Sequence, residues 1–377
     1  MKTAVVLSGG GAKGSYQLGV WKALRELHIK YDIVTGTSIG ALNGVLMCEK
    51  SYFKAKEIWK RINMEYLFNE LPKSNKSLDI VKLFGNKFIK NGGMDIEKIE
   101  TIIEKCVNKR KFYNSDIDFG LISYNVTTRK PLILTKDNIP SNKLVDYLMA
   151  SATCFPAFKM KEIDGNKYID GGYYDNLPVE LAMKLGADFL IIVDLKAPGF
   201  KKKSSKKVKH IIIKPKNSIS FFLNFDEEAA RLNIRFGYND TLKAFKKLDG
   251  NKFTFKKNTL SKYYNTNKDY LFDNTEKDFL ISIEKLGKIF KLDESKIYSF
   301  KSFIKNLTIK IENEKSLDQK TIKNIKSFTK RISKKTLVLF FLSHLENNKK
   351  IGKLSKIFAK EYKLAKYLQV LGVVYGK

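Results

Sequence analysis

One serine is a candidate for covalent chemistry because glycines flank it on a predicted turn. The segment Gly36-Thr37-Ser38-Ile39-Gly40 follows a short apolar run and precedes apolar residues at helical spacing. On such a strand-to-helix turn a serine can expose its hydroxyl in the strained geometry of a nucleophile elbow, since Gly36 and Gly40 carry no side chain to collide there. The pattern alone also fits a tight turn with a helix-capping serine, so other motifs have to support Ser38.

A glycine cluster near the start of the chain can bind a negatively charged oxygen. The segment Gly9-Gly10-Gly11-Ala12-Lys13-Gly14 follows an apolar run and opens a predicted helix, so its backbone N–H groups can point at an anion. A phosphate-binding loop needs lysine after the last glycine, where this chain has Ser15. A dinucleotide site fits the spacing but needs an acidic residue after the second strand, and residues 34–38 contain none. The third interpretation is an oxyanion hole, whose candidate donors are Gly9, Gly10, Gly11 and Gly14.

An acyl-transferring serine also needs a base, which is normally histidine. The chain has three histidines: His28, His210 and His344. The first two precede predicted strands, at the end of the sheet away from the elbow, and the third lies in the C-terminal region. A better candidate is Asp170, where a short apolar run ends in a carboxylate and Gly171 and Gly172 allow a partner to approach closely. Aspartate is a weak base in water, with a pKa of about 3.9, so the pocket would have to exclude solvent.

The elements that must position these motifs alternate between strand and helix. Strands of buried type are predicted at residues 4–7, 31–34, 119–126, 132–135, 189–193 and 211–213, and helices around 95–107, 142–151 and 177–186. We therefore expect the α/β class, with a mostly parallel sheet flanked by helices in three layers. In such a sheet the two glycine-rich turns open at the same edge, at the carboxyl ends of neighbouring strands.

The three motifs, in this order and spacing, resemble those of the patatin-like phospholipase family, and of its bacterial members in particular. The similarity runs from Val5 to about Glu180 and includes residues 151–156 before the aspartate and 175–179 after it. Gly237-Tyr238-Asn239-Asp240 resembles a feature near the end of the domain in bacterial members, which extends the similarity to about residue 250.

The resemblance implies a Ser-Asp dyad in place of a catalytic triad. Ser38 is then the nucleophile and Asp170 the proton acceptor, and the glycine-loop backbone is the oxyanion site. Two positions depart from the family pattern: Ser8 stands where many members have aspartate, and Lys13 where many have arginine. Neither belongs to the dyad, but a lysine cannot supply the contacts of a guanidinium.

The composition excludes several classes of protein. With 377 residues, 43% of them hydrophobic, and only 7 prolines, the chain can bury a core and is not disordered throughout. Its longest apolar runs, such as residues 337–342, are too short to cross a bilayer, and its first residues lack the apolar stretch of a signal peptide. We therefore expect a cytoplasmic protein. Three separated cysteines, Cys48, Cys106 and Cys154, predict buried thiols and neither a disulfide framework nor a metal site.

Positive charge is concentrated in the second half of the chain. Residues 1–200 contain 29 Lys and Arg against 22 Asp and Glu, whereas residues 201–377 contain 42 against 17. After about residue 250 the strand pattern gives way to amphipathic helical stripes, one of which is Ile297, Phe300, Ile304, Leu307 and Ile311. We predict an acyl-hydrolase domain at 1–250 and a basic, mainly helical region of unknown role at 251–377. Such a charge can attract an anionic lipid surface or nucleic acid, or it can simply solvate the helices.

Together these features predict a serine acyl-ester hydrolase that acts on membrane lipids in the manner of a phospholipase A or lysophospholipase. We expect no cofactor and no metal. The expected partners are a lipid acyl ester and, through residues 251–377, the anionic inner face of a membrane, with nucleic acid disfavoured. Two alternatives remain: a catalytically retired protein that binds lipid or nucleic acid, and an esterase for soluble acyl esters.

Overall fold

A computed structural model describes residues 1–74, 76–202, 208–273, 275–314, 317, 321, 325, 332–349 and 351–375. The chain divides into two compact units, Met1–Ala244 and Phe245–Lys377. We refer to them as the first and second units. The glycine loop, the elbow and the Asp170 motif lie in the first unit, and the apolar stripe at residues 297–311 lies in the second.

The first unit is built on a sheet of eight strands. They are β1 Thr3–Leu7, β2 Ile33–Thr37, β3 Asp118–Asn125, β4 Lys130–Thr135, β5 Lys161–Ile163, β6 Asn166–Asp170, β7 Phe189–Val193 and β8 Lys209–Ile213. The hydrogen-bonded order is β5-β6-β3-β2-β1-β7-β8, and β4 also pairs with β3. Strands β3, β2, β1, β7 and β8 are parallel, whereas β4 and β6 run antiparallel to β3. The predicted mostly parallel α/β sheet is confirmed.

One edge of β3 carries two strands that meet end to end. Strand β2 pairs with residues 118–122 of β3, and β6 pairs with residues 123–125. Because β4 occupies the opposite edge along residues 120–125, β2 and β6 must share the remaining edge. They run in opposite directions, with Thr37 of β2 beside Ile122 and Asp170 of β6 beside Ser123. The carboxyl ends of β2 and β6 therefore point at each other.

Helices cover both faces of this sheet. In chain order they are α1 Ser15–Glu26, α2 Ile39–Cys48, α3 Tyr52–Arg61, α4 Met64–Leu67, α5 Ser77–Asn91, α6 Glu97–Cys106, α7 Lys109–Tyr113, α8 Leu144–Ala152, α9 Val179–Lys184 and α10 Glu227–Ala244. Successive residues of a strand face opposite sides of the sheet. Ala4 and Val6 of β1 pack with α9 in one buried cluster, and Val5 and Leu7 on the other face are equally buried. The expected three layers are present.

Helices α1 and α10 pack so closely that glycine is needed at their crossing. A Cβ added to Gly19 on α1 would lie 2.0 Å from the Ile234 carbonyl oxygen, and one added to Gly237 on α10 would lie 2.0 Å from that of Tyr16. The Tyr16 hydroxyl donates a hydrogen bond of 2.9 Å to the buried Asp240 carboxylate. The segment 237–240 singled out in the sequence therefore fixes α10 to α1.

The second unit has its own buried core and a small sheet. Its strands are β9 Leu248–Asp249, β10 Thr254–Lys256 and β11 Ile297–Tyr298, and its helices are α11 Thr259–Asn267, α12 Glu276–Ile289, α13 Phe300–Glu312, α14 Lys334–Glu346, α15 Leu354–Ile357 and α16 Ala359–Val370. Phe300, Leu307 and Ile311 of the predicted stripe are buried in this core. Ile297 belongs to β11, so the helix begins three residues later than the stripe suggests. Within the described residues, every helix is too short or too polar to cross a membrane.

Gly19→Ala tests the close crossing of α1 and α10. We expect it to lower the free energy of unfolding of the first unit by about 1–3 kcal/mol, because the added methyl group overpacks the crossing against a carbonyl oxygen. Gly85→Ala on α5 is the matched control, since its Cβ would meet nothing within 4 Å and alanine favours the helix by about 1 kcal/mol. Urea unfolding followed by tryptophan fluorescence measures the effect, because both tryptophans, Trp21 and Trp59, lie in the first unit. Equal midpoints for the two variants would contradict the packing described.

Candidate active site

Ser38 occupies a strained turn directly between β2 and α2. Its backbone has φ 57° and ψ −129°, a conformation that is costly for a residue with a side chain and persists only when its surroundings impose it. The two flanking glycines permit that turn. A Cβ on Gly36 would lie 2.3 Å from the Gly40 carbonyl oxygen, and a Cβ on Gly40 would lie 2.4 Å from the Leu7 carbonyl oxygen. The backbone therefore has the shape predicted for a nucleophile elbow.

A buried serine that the motifs did not single out holds this turn in place. The Ser38 N–H donates a hydrogen bond of 2.9 Å to the Ser151 hydroxyl, which in turn donates one of 2.6 Å to the Ile122 carbonyl. Ser151 lies on α8 and is fully buried. This relay connects the elbow to β3 at the point where β2 ends. The only sequence signal for Ser151 was its place in the segment that resembles the family pattern.

Asp170 ends β6 and lies beside Ser38. Its carboxylate accepts a hydrogen bond of 2.7 Å from the Gly172 N–H, and the nearby Ser38 hydroxyl acts on the same carboxyl group. Burial raises the pKa of Asp170 to about 6, although the Ser38 hydroxyl and the Gly172 N–H both act to lower that pKa. An aspartate with this pKa is a stronger base than one in water, and it is still ionised at pH 7.

The two glycines after Asp170 serve the junction between β6 and β3. A Cβ on Gly171 would lie 2.0 Å from the Ile122 carbonyl oxygen, so no larger residue lets the end of β6 approach β3 this closely. Gly172 supplies the N–H that holds the Asp170 carboxylate. The predicted dyad residues and their supporting glycines are thus brought together at one point of the sheet.

The predicted oxyanion glycines divide into two pairs. Gly10 and Gly11 line a cavity that also contains Ser38 and Asp170. Gly11 has φ +52°, and a Cβ there would lie 2.1 Å from the Phe222 carbonyl oxygen, so glycine is required by both conformation and space. The glycine loop therefore presents its middle residues to the site.

The outer glycines of the loop have other partners. The Gly9 N–H is shared between the backbone carbonyl and the side-chain Oδ1 of Asn176, each at 3.1 Å. A Cβ on Gly14 would lie 2.3 Å from Cγ1 of Ile39, so this glycine provides space for the residue after the nucleophile. Gly9 therefore helps to hold the loop in place, and Gly14 leaves room for the helix that follows the elbow.

Asn176 is a site residue that the motifs did not identify by role. Its Oδ1 accepts the hydrogen bond from Gly9, and its Nδ2 donates one of 3.0 Å to the Pro198 carbonyl. It is buried and lines the cavity. The neighbouring Asp175 is also buried, and burial raises its pKa to about 6, but its carboxylate accepts hydrogen bonds from the backbone N–H groups of Leu177 and Lys202.

The two departures from the family pattern lie beside the glycine loop. The buried Ser8 hydroxyl accepts a hydrogen bond of 2.9 Å from the Leu195 N–H and donates one of 3.2 Å to the Gly9 carbonyl. Burial lowers the pKa of the Lys13 ammonium, and nearby Asp194 opposes that change. Ser8 thus contributes to the backbone network of the loop in its own right.

Two cavities meet at Ser38. The larger one, of about 310 Å³, contains the dyad, the middle glycines and Asn176. The second, of about 120 Å³, shares Gly11, Ser38 and Phe158 with it and continues into an apolar space. We call the second one the apolar cavity; its lining includes Leu46, Ile99, Ile102, Ile103 and Met149. A molecule at Ser38 could therefore place a polar part in one cavity and an apolar part in the other.

The histidines lie elsewhere, and no histidine is among the described residues that line either cavity. His28 lies between α1 and β2, His210 is exposed on β8, and His344 is on α14 of the second unit. In the described part of the chain, His, Cys, Asp and Glu side chains form no group of three that could hold a metal ion.

Sequence comparison relates about half of the chain to known proteins. Residues 5–183 match the family model described as patatin-like phospholipase. The chain is 29% identical over 202 residues to patatin-like phospholipase domain-containing protein 7 of Rattus norvegicus, covering 51% of this chain and 13% of that protein. It is 32% identical over 196 residues to lysophospholipase nte1 of Aspergillus terreus, covering 51% and 12%. The matched stretch thus spans about an eighth of these relatives.

Two solved structures also align with most of the chain. VipD from Legionella pneumophila aligns with a TM-score of 0.44 and 14% identity, covering 98% of this chain and 87% of VipD. The type III effector protein ExoU aligns with a TM-score of 0.35 and 10% identity, covering 98% and 74%. The family assignment rests on the sequence match alone. The chain carries a patatin-like phospholipase domain at residues 5–183, as its three motifs predict.

Proposed function

We propose that the chain is a serine acyl hydrolase that releases fatty acid from lipid esters, in the manner of a phospholipase A or lysophospholipase. One observation carries the proposal: Ser38, on a strained elbow, lines the same cavity as Asp170, a buried aspartate whose pKa burial raises to about 6. The names of the matched relatives, which include lysophospholipases, support a lipid ester as the substrate.

The proposed reaction has two steps with a covalent intermediate. Oγ of Ser38 forms a bond to the ester carbonyl carbon while its proton passes to the Asp170 carboxylate. The carbonyl electron pair moves onto oxygen, where the backbone N–H groups of Gly10 and Gly11 stabilise it. When the tetrahedral intermediate collapses, the C–O bond breaks and the departing alcohol takes the proton from Asp170. Water then attacks the acyl-Ser38 ester, Asp170 accepts its proton and returns it to Ser38, and the fatty acid leaves.

Gly10 and Gly11 are better oxyanion candidates than the outer glycines of the loop. Both line the larger cavity beside Ser38. The Gly9 N–H is already occupied by Asn176, and Gly14 packs against Ile39. The proposal therefore narrows the four glycines of the sequence prediction to two, with Asn176 holding the loop in position.

The apolar cavity supports an acyl chain as the group bound beside the carbonyl. It starts at Ser38 and is lined mainly by aliphatic side chains of α2 and α6. Each methylene buried there adds about 0.8 kcal/mol of binding free energy, so longer acyl chains should be preferred. This favours lipid esters over small soluble esters. A cytoplasmic location and membrane contact through residues 251–377 stay predictions that rest on the sequence.

Labelling with a fluorophosphonate serine-hydrolase probe tests the dyad. Ser38→Ala should abolish labelling, and Asp170→Asn should slow it by about 10²–10⁴-fold, because an amide cannot accept the serine proton. Asp175→Asn is the matched control, since Asp175 is equally buried and its pKa is also about 6, yet its carboxylate faces backbone N–H groups. Thermal unfolding of each variant verifies that it is folded. A parent protein that is folded but unlabelled would favour the retired binding protein instead.

The pH dependence of labelling follows from the raised pKa of Asp170. The base must be ionised, so the rate should fall about tenfold per pH unit below the pKa of about 6 and level off above pH 7. Asp175 has a pKa in the same range, so Asp175→Asn is the control for this measurement. If Asp170 is the base, that substitution leaves the midpoint of the pH profile unchanged. A rate that is independent of pH between about 5 and 8 would exclude Asp170 as the base.

Substitution in the apolar cavity tests the acyl-chain assignment. Ile103→Trp on α6 places a larger side chain in the lining. We expect the ratio of kcat/KM for a long-chain to a short-chain p-nitrophenyl ester to fall about tenfold or more, because the filled cavity excludes the distal methylenes. The parent should prefer the long-chain ester. A ratio that the substitution leaves unchanged would place the acyl chain outside this cavity.

A further inference from the structure

Helix α5 of the first unit carries apolar side chains on its outward face. We call these four residues the α5 apolar face: Leu78, Val81, Phe88 and Ile89, which are 74%, 50%, 41% and 82% exposed. At 100° per residue they fall on one sector of the helix, away from Ile80 and Phe84, which are buried. Surface helices usually direct polar residues outward, and a contiguous exposed apolar patch marks an interaction site.

The inward side of α5 explains why this face stays outward. The Phe84 ring packs edge-on against Phe68 and Phe158, with centroid distances of 5.6 and 5.7 Å. Phe158 lines both cavities. The helix is therefore anchored on the wall of the proposed active site by its buried side, and turning it to hide the apolar face would break these contacts.

The α5 apolar face lies next to the rim of the larger cavity. The Phe88 ring packs edge-on against Phe155 at 5.4 Å. The Phe155 carbonyl accepts a hydrogen bond from the hydroxyl of Tyr173, and Tyr173 lines the cavity and is partly exposed. Phe200, which is 69% exposed, also lines the cavity. Apolar surface thus extends from α5 to the cavity itself.

Lysines border this apolar surface. Lys82 and Lys90 lie on the flank of α5 opposite to Val81 and Phe88, and both are exposed. An apolar helix face bordered by lysines is typical of helices that lie in the interface of an anionic bilayer, where each lysine near the surface adds about 1 kcal/mol of attraction. The position of this surface next to the larger cavity also favours a bilayer over a protein partner, because a bilayer is where the lipid substrate of the proposed function lies.

We propose that the α5 apolar face and Phe200 dock the first unit on an anionic phospholipid bilayer, so that the ester bond enters the larger cavity directly from the membrane. The use of the bound lipid as substrate rests on the proposed function, whereas the docking does not. This surface differs from the one predicted from the sequence, which placed membrane contact in residues 251–377.

Vesicle binding by the full-length Ser38→Ala variant tests the proposal without any turnover. Sedimentation with phosphatidylcholine vesicles that contain phosphatidylglycerol should be weakened about tenfold or more by adding Leu78→Asp and Ile89→Asp, because two charges replace side chains that enter the bilayer. Leu232→Asp on α10, a partly exposed position elsewhere in the first unit, is the matched control and should bind like its parent. Thermal unfolding verifies the fold of each variant.

Two further measurements separate the competing explanations. Lys82→Glu with Lys90→Glu should weaken binding to the anionic vesicles more than to vesicles of phosphatidylcholine alone. Unchanged binding of the Leu78→Asp, Ile89→Asp variant would overturn the proposal and assign membrane contact to another surface. If that variant instead converts a dimer into a monomer in light scattering and binds vesicles as before, the face belongs to an interface between copies of this chain, which also overturns it. Failure of the hydrolase proposal would leave these binding results intact.

Discussion

The site depends on one constraint of the sheet, namely that β2 and β6 share a single edge of β3. Backbone hydrogen bonds to residues 118–125 fix both strands, and their carboxyl ends meet between Ile122 and Ser123. Ser38 follows one end and Asp170 is the other. Their proximity is therefore set by backbone pairing, which is far more rigid than contacts between two loops. The close approaches at Gly36 and Gly171, and the Ser151 relay to Ile122, all serve this one junction.

This arrangement reduces the stability of the fold. Ser38 has a positive φ, and Asp170 is buried with a pKa above its value in water. Because the folded state holds the Asp170 proton up to about pH 6 while the unfolded chain releases it near 3.9, the contribution of this group to stability falls as pH rises through that interval. Above it, a buried carboxylate remains, with the hydrogen bond from the Gly172 N–H as partial compensation. Reactive sites commonly reduce stability in this way.

The sequence predicts the parallel strands and the elbow well, because their signals are local. Residues 4–7 and 189–193 are continuous apolar runs, and the glycines around Ser38 are adjacent to it. The sharing of an edge by β2 and β6 was not predictable, since β6 begins with Asn166 and Lys167 and pairs with a strand about forty residues earlier. The occupation of the Gly9 N–H by Asn176 joins residues 167 positions apart. Apolar residues occur around most of α5, so periodicity could not separate its buried side from its outward face.

A double-mutant cycle on Ser38 and Asp170 tests most directly whether the two residues act as one unit. The values of kcat/KM for a long-chain ester would be measured for the parent, Ser38→Ala, Asp170→Asn and the double variant. If Ser38 and Asp170 act as one unit, the double variant is no less active than Ser38→Ala alone, because removal of the nucleophile leaves the base without a role. If the two losses instead multiply, the residues contribute independently. That result would contradict the dyad, and with it the functional meaning of the junction between β2 and β6.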